Sequence, residues 1–223
     1  MTDKLAQIGR HAPLLAVSEW VQGGPVNFDQ LLGRVVLVEV FQVNCPGCFL
    51  HALPKAVELH RKYADAGLAV LGVATAFENF DKNTLENLRR LVERREVIGE
   101  TFKVLSQHGQ LDQGLLPYRI PFPLAMDQLT QRLGGVFEAD ILGFIHGRLL
   151  NFDSQPDAYR QQVIEQVRGY LESLHYRAET FERFQLKGTP SQVLVDRQGV
   201  LRASEFGAFP DLESCLIKLL QEG

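Results

Sequence analysis

The chain has 223 residues, of which 45% are apolar and 22% are charged, a composition typical of a globular protein with a sizeable core. Its 23 basic and 27 acidic side chains give a net charge of −4, so we expect neither a nucleic acid nor an anionic membrane as partner. No apolar run is long enough to span a bilayer, and the first residues lack the apolar core of a signal peptide, which predicts a cytoplasmic protein. Three cysteines are too few, and odd in number, for a secreted disulfide framework.

The first half of the chain alternates between strand-like and helix-like patterns. Residues 35–41 and 68–74 are nearly continuous apolar runs, which are typical of buried parallel strands. Apolar side chains at three-to-four spacing predict one helix over residues 46–64, kinked at Pro54, and another over residues 83–99. This order of strand, helix, strand and helix predicts a parallel sheet with right-handed crossovers.

The second half of the chain contains a predicted insertion. A short strand is expected over 121–127, and its prolines favour an edge position or a late entry into the sheet, because proline cannot donate to a strand ladder. Residues 128–184 carry helical patterns and are predicted to form a mostly helical insertion. Residues 1–127 and 185–223 would then form the other domain. Its last part predicts a strand–turn–strand hairpin over 191–204, followed by a helix.

Cys45 and Cys48 are separated by Pro46 and Gly47 and lie where the first buried strand meets a helix. Unpaired N–H groups and the partial positive charge of a helix start stabilise a thiolate, which is the attacking form of cysteine. The spacing brings both sulfurs to one side of the first turn, within reach of a disulfide. We therefore predict that Cys45 is the exposed nucleophile and that Cys48 resolves the mixed disulfide by attacking Cys45. This chemistry needs neither a cofactor nor a metal.

Two other interpretations of the cysteine pair stay open. In the first, Cys45 and Cys48 belong to a metal-binding module, for which His51 and His60 are the nearest further donors. In the second, the protein is an adaptor whose helical insertion binds a partner, and the two cysteines are incidental. Stoichiometric metal would favour the first interpretation, and partner binding without the cysteines would favour the second.

Three further polar residues are candidates for the site. Glu39 lies within an apolar strand, six residues before Cys45, where burial would raise its pKa and let it take the proton of Cys48; strict alternation would instead turn it to solvent. His51 lies on the helix face of Cys48 and could tune the thiolate or relay a proton. Glu78 follows the second strand at its carboxyl end, the sheet edge at which ligands collect.

The segment from Phe41 to Cys48, the strand before it and the run Gly188-Thr189-Pro190-Ser191 resemble the thioredoxin-like superfamily, especially its TlpA-type and AhpC/TSA-type redoxins. The resemblance covers about residues 10–127 and 185–223. It implies an α/β thioredoxin-like fold, with a central mixed sheet flanked by helices and interrupted by the helical insertion.

The resemblance also implies roles for single residues. Pro190 would follow a cis peptide bond and face the cysteine pair, as X–Pro bonds permit. Thr189 would offer its backbone to a substrate peptide, as an added strand is held, with Pro46 and Gly47 beside it. Glu39 occupies the position of the family's buried acid.

A thiol–disulfide oxidoreductase is the function that the resemblance implies. Its substrates would be disulfide-containing proteins or small thiols, a dithiol donor would regenerate it, and its role would be cell redox homeostasis. The Pro-Gly dipeptide reverses that of thioredoxin, and Asn44 replaces the usual tryptophan, so the redox potential and the partner are open. A peroxiredoxin-like thiol peroxidase is the alternative, although Phe41, Gln42 and Val43 stand where its proline and hydroxyl residue are expected.

Overall fold

The described part of the chain, residues 5–132 and 134–222 of a computed structural model, contains eight β-strands and seven α-helices. Residues 1–4 of the predicted first domain, Leu133 of the predicted insertion and Gly223 lie outside the described residues. The strands are β1 (Val17–Gln22), β2 (Val35–Phe41), β3 (Leu68–Ala74), β4 (Leu124–Asp127), β5 (Leu129–Gln131), β6 (Tyr176–Ala178), β7 (Ser191–Val195) and β8 (Leu201–Phe206). The helices are α1 (Leu53–Tyr63), α2 (Leu85–Arg94), α3 (Gly99–Gln107), α4 (Glu138–His146), α5 (Asp157–Ser173), α6 (Glu179–Arg183) and α7 (Leu212–Gln221). None of these helices combines the length and hydrophobicity of a bilayer-spanning segment.

The central sheet is mixed, with the strand order β1-β4-β3-β2-β7-β8. The strands β2, β3 and β4 run parallel, which confirms the parallel arrangement predicted for the first half, whereas β1, β7 and β8 pair antiparallel to their neighbours. Of the two positions predicted for β4, the edge is wrong, because β1 pairs with its outer side, whereas the late entry into the sheet agrees with a strand that begins only at Leu124. Pro121 and Pro123 precede the strand, which begins at Leu124, so neither proline removes a donor from this ladder.

Both faces of the sheet are buried, which explains why β2 and β3 read as continuous apolar runs. Alternate residues of β2 enter two hydrophobic clusters: Val35, Leu37 and Phe41 join the first, and Val36, Val38 and Val40 the second. Helices α1, α2, α3 and α7 supply the first cluster, and α6 contributes to the second. By the same alternation Glu39 faces the first cluster. Because both faces of the sheet are covered at β2, the solvent-facing orientation considered for Glu39 is wrong.

The helical run after β2 begins at Pro46, as predicted. It contains a π-helical turn, Cys48–Ala52, in which Leu53 N–H donates to the Cys48 carbonyl, before α1 continues regularly. Pro54 follows this turn directly. Because proline has no N–H and its ring displaces the carbonyl four residues earlier, the irregularity predicted at Pro54 takes the form of this widened turn.

Helix α2 begins after Thr84, whose hydroxyl accepts a hydrogen bond from the Asn87 N–H at 3.2 Å. We expect Thr84→Ala to lower the free energy of unfolding by about 1 kcal/mol, because an end N–H loses its acceptor. Thr84→Ser keeps the hydroxyl and should retain most of this stability. Urea unfolding of both variants measures the difference, and equal losses would contradict the capping role.

Residues Thr130–Arg177 form a separate compact unit with their own small core. Ile141, Ile145 and Phe152 are its buried residues, and Val163 and Val167 of α5 pack against them. The rest of the described chain, up to Leu129 and from Ala178 onward, forms the larger unit. The second unit is therefore shorter than the insertion predicted over 128–184.

The difference in boundary arises from Asp127 at the end of β4. Its carboxylate accepts from Thr180 N–H at 2.8 Å, Phe181 N–H at 3.1 Å and the Thr75 hydroxyl at 2.8 Å, which fastens α6 to the sheet. Phe181 stacks on Phe77, with 4.4 Å between the ring centroids. The short helix that the sequence assigned to the insertion thus belongs to the larger unit.

Candidate active site

Cys45 and Cys48 are joined by a disulfide at the carboxyl end of β2, with 5.4 Å between their Cα atoms. Cys45 is partly exposed, whereas Cys48 is 0% exposed. The Cys48 N–H lies 3.3 Å from the Cys45 sulfur and 3.0 Å from the Cys45 carbonyl oxygen. After reduction, this N–H and the start of the helical run would stabilise a thiolate on Cys45, the sulfur that a substrate can reach.

Thr189 lies directly against this disulfide, although 144 residues separate it from Cys45. The Thr189–Pro190 peptide bond is cis, and the Thr189 carbonyl oxygen lies 3.7 Å from the Cys45 sulfur. The strand β7 begins at Ser191 and pairs antiparallel with β2, which brings the two segments together. A peptide backbone laid along Thr189 would therefore pass the reactive sulfur.

Gln42 holds Thr189 from the side of β2. Its side-chain oxygen accepts from the Thr189 hydroxyl at 3.1 Å, and its amide nitrogen donates to the Glu78 carbonyl at 3.3 Å. Glu78 is exposed, and it contributes to this framework through its backbone carbonyl rather than through its carboxylate. The position of Thr189 thus depends on a buried amide.

Two asparagines fix the backbone immediately before Cys45. The side-chain oxygen of Asn83 accepts from Asn44 N–H at 3.0 Å, and Asn83 donates to the Glu78 carbonyl at 2.9 Å. Asn44 in turn accepts from Glu100 N–H at 2.8 Å, in the first turn of α3. Asn44 therefore ties the cysteine segment to a helix start.

Gly99 makes this contact possible, because its φ is +54° and an added Cβ would lie 2.3 Å from the Asn44 side-chain oxygen. We expect Gly99→Ala to destabilise the protein by more than about 1 kcal/mol and to alter the alkylation rate of reduced Cys45. Gly109→Ala is the matched control, since Gly109 has a φ of +62° but open space around the added Cβ. Equal alkylation rates in the two variants would contradict the proposed coupling.

Glu39 is 1% exposed, and the alternation of β2 turns it to the face of α1 and α7, on which Cys48 is also buried. Burial raises its pKa from 4.5 to about 8, and a hydrogen bond from Gln192 opposes this effect. In the sheet register, Gly72 and Gln192 stand opposite Glu39 on its two neighbouring strands. With this raised pKa, the Glu39 carboxyl favours its protonated form at neutral pH, unlike an exposed glutamate.

A pocket of about 450 Å³ opens next to the disulfide and reaches Glu39. Its lining comprises Glu39, Gly47, His51, Ala52, Lys55, Pro190, Gln192, Gly207, Ala208, Phe209, Pro210 and Leu212. The structure thus brings together four of the predicted residues, Glu39, Gly47, His51 and Pro190, around one cavity. Lys55 at this pocket is paired with Glu213 at 2.7 Å and Glu58 at 3.1 Å.

Sequence reasoning missed Gln42 and Gln192, which hold Thr189 and Glu39. A signal for Gln192 existed: it is the one amide inside the apolar run of β7, two residues after Pro190. Pro46 is partly exposed in the first turn of the helical run, where the missing N–H leaves no donor unpaired. In the described ranges, no group of three or more His, Cys, Asp or Glu side chains is arranged to hold a metal.

Comparison with known proteins gives sequence similarity over part of the chain and structural similarity over all of it. No family model matches the sequence. The chain is 32% identical over 82 residues to DipZ of Mycobacterium bovis and of Mycobacterium tuberculosis. The matched segment makes up 35% of this chain and 12% of DipZ. It therefore spans only a small part of these curated relatives.

Solved structures match nearly the whole chain, and the following two are among them. The crystal structure of a thioredoxin-like superfamily protein has a TM-score of 0.58 at 23% identity, and covers 96% of this chain and 99% of its own. A thiol-disulfide isomerase from Corynebacterium glutamicum has a TM-score of 0.56 at 26% identity, and covers 100% of this chain and 99% of its own. The fold is thioredoxin-like, and the Cys45–Cys48 disulfide lies at the carboxyl end of one of its central strands.

Proposed function

We propose that this protein catalyses thiol–disulfide exchange on disulfide-containing peptides or small thiols by cycling Cys45 and Cys48 between disulfide and dithiol. One observation carries the proposal: a partly exposed Cys45 is bonded to a fully buried Cys48, directly beside the Thr189 carbonyl. This asymmetry assigns attack on the substrate to Cys45 and resolution to Cys48.

In the reducing direction, the Cys45 thiolate attacks one sulfur of the substrate disulfide. A bond forms between Cys45 and that sulfur, and the other substrate sulfur leaves as a thiolate, which takes a proton from solvent. Cys48 then loses its proton to the Glu39 carboxylate and attacks Cys45, which releases the second substrate thiolate and forms the Cys45–Cys48 disulfide. The two electrons that the substrate gains come from the two enzyme thiols, and a dithiol donor restores them.

The substrate is proposed to bind as an extended peptide along Thr189. Strand addition of this kind uses backbone N–H and C=O groups, so it tolerates many side-chain sequences. The pocket lined by His51, Pro190 and Phe209 would then accommodate a side chain of the substrate next to its disulfide. These features favour peptide substrates that carry an apolar residue near the cysteine.

Insulin reduction by dithiothreitol tests the proposal. The protein is expected to accelerate precipitation of the insulin B chain, and Cys215→Ser, which changes the free cysteine of α7, should be as active as the wild type. No acceleration by the wild-type protein would refute the function. The reduction potential of the couple then gives the direction: about −270 mV indicates a reductant and about −120 mV an oxidant.

We also propose a cytoplasmic location with a role in redox homeostasis. Support comes from the low number of cysteines and from Cys215, which is a free thiol, since reducing compartments preserve free thiols. A membrane-impermeant maleimide applied to intact cells should leave Cys215 unlabelled until the cells are lysed. Labelling in intact cells would place the protein outside the cytoplasm.

A further inference from the structure

Gln192 faces Glu39 directly from the neighbouring strand. Its amide nitrogen lies 3.0 Å and 3.1 Å from the two carboxylate oxygens and donates to both. Gln192 is 3% exposed and Glu39 is 1% exposed, so bulk water does not compete for these bonds. An amide N–H held against both oxygens favours the ionised carboxylate.

The oxygen of the same Gln192 amide, unlike its nitrogen, lacks a hydrogen bond in the described structure. The Gln192 side-chain oxygen is buried and has no hydrogen-bond partner within the described part of the chain. A buried acceptor without a donor is unfavourable by roughly 1–3 kcal/mol. An amide has nitrogen and oxygen at nearly equivalent positions, so a half-turn of its terminal torsion exchanges them. After that turn, the Gln192 oxygen would face Glu39 and could accept a hydrogen bond from the O–H of the protonated carboxyl.

The other groups around Glu39 leave Gln192 as its hydrogen-bonding partner. Gly72 opposes it on β3 and has no side chain, and the loop over 207–210 contributes no titratable group. His51 and Lys55 line the pocket from the helical run, and Lys55 is held by Glu213 and Glu58. Neither side chain is hydrogen-bonded to Glu39 in the described structure, and Cys48, which becomes a thiol when the disulfide is reduced, begins the π-helical turn after β2.

We propose that Gln192 is a positioning residue for proton transfer at Glu39. Its amide N–H donates to the ionised carboxylate, and after the amide has turned over, its side-chain oxygen accepts a hydrogen bond from the protonated carboxyl. Both protonation states then have a matched partner at a carboxyl that is only 1% exposed. The pocket beside Glu39 gives the proton its route to solvent. The inference rests on the proposed exchange reaction, since it concerns the proton that Cys48 releases during resolution.

Gln192 acts in one step of the cycle, the resolution of the mixed disulfide by Cys48. The Cys48 thiol gives its proton to the Glu39 carboxylate, the Cys48 sulfur attacks Cys45, and the bond between Cys45 and the substrate sulfur breaks. Both electrons of that bond leave with the substrate thiolate. Gln192 turns its oxygen to the new carboxyl O–H, and turns back when the proton leaves through the pocket.

Stopped-flow reaction of the dithiothreitol-reduced protein with the aromatic disulfide 5,5′-dithiobis(2-nitrobenzoate) measures this step. The first released thiolate reports attack by Cys45 and the second reports resolution by Cys48. In Gln192→Met, which keeps the length but has no N–H, the pH midpoint of the second phase should rise by about one unit. Resolution at pH 7 should then be roughly tenfold slower, while the first phase is unchanged.

A second genetic background and a matched control variant make the result specific to Gln192 and Glu39. In Glu39→Gln, adding Gln192→Met should leave the pH profile of the second phase unchanged, because the titrating group is gone. Gln22→Met is the matched control: Gln22 donates to the Ile120 and Phe122 carbonyls at 2.8 and 2.7 Å, away from the disulfide, so its loss should not shift the midpoint.

The outcomes separate the two proposals. A wild-type protein without a second phase would refute the exchange function itself. A wild-type second phase whose midpoint stays the same in both Gln192→Met and Gln192→Leu would overturn the role of Gln192 alone. A midpoint shift that persists in the Glu39→Gln background would also overturn it, because Gln192 would then act on another group.

Discussion

Replacement of Cys45 by serine is expected to reduce disulfide exchange to the uncatalysed rate. Cys45 is the partly exposed sulfur of the pair and lies 3.7 Å from the Thr189 carbonyl, whereas Cys48 is 0% exposed. A serine hydroxyl at this position is not ionised near neutral pH, and Cys48 cannot reach a substrate from the core. Insulin reduction measures the loss.

Cys48→Ser gives the complementary result. Cys45 can still attack, but the mixed disulfide has no resolving thiol, so it should accumulate and be visible by mass spectrometry as a covalent adduct on Cys45. Cys215→Ser serves as the thiol control and should neither accumulate the adduct nor lose turnover. Adduct formation on Cys48 in the Cys45→Ser variant would reverse the assigned roles.

Glu39→Gln is expected to have the second largest effect, on the pH dependence of resolution. With a pKa of about 8, Glu39 is mostly protonated at pH 6, and only its ionised form can take the proton of Cys48. The rate of the second phase should therefore rise nearly tenfold per pH unit below 8 and then level off. In Glu39→Gln the phase should be slower, without a break near pH 8. A break that remains would assign the titration to another group.

The same raised pKa makes the stability of the fold dependent on pH. Glu39 has a pKa of about 8 when folded and an ordinary value of 4.5 when exposed, so between these pH values the folded chain binds one proton more than the unfolded chain. The stability from the buried neutral carboxyl is fully present below pH 4.5 and is lost as the pH rises through 8. The slope is about 1.4 kcal/mol per unit, or at most about 5 kcal/mol over the window.

Glu39→Gln should lack this decline and become more stable than the wild type above pH 8. Asp127 also has a pKa raised by burial, to about 6, but it is present in both proteins, so the difference between them isolates Glu39. Urea unfolding from pH 5 to 9 provides the measurement. Parallel stability curves for the two proteins would show that Glu39 is ionised in the folded chain throughout.

Features encoded within single elements could be predicted from the sequence. The strands at 35–41 and 68–74 were confirmed because burial on both faces leaves an uninterrupted apolar run. The helical start at Pro46 was confirmed because proline suits a first turn. Glu39 stood out for the same local reason, as a carboxylate inside an apolar strand. The strand β1 was missed, since its residues at 17–22 are half-buried and have no such run.

The spacing of Cys45 and Cys48 and the apolar surroundings of Glu39 were determined by the sequence alone, because each depends on residues close together in the chain. Only the tertiary structure decided which distant groups meet them. The antiparallel register of β7 on β2 sets Gln192 against Glu39 and leads Thr189 to the Cys45 sulfur across 144 residues. Register and strand order follow from the packing of the whole sheet, and no single element's periodicity contains them.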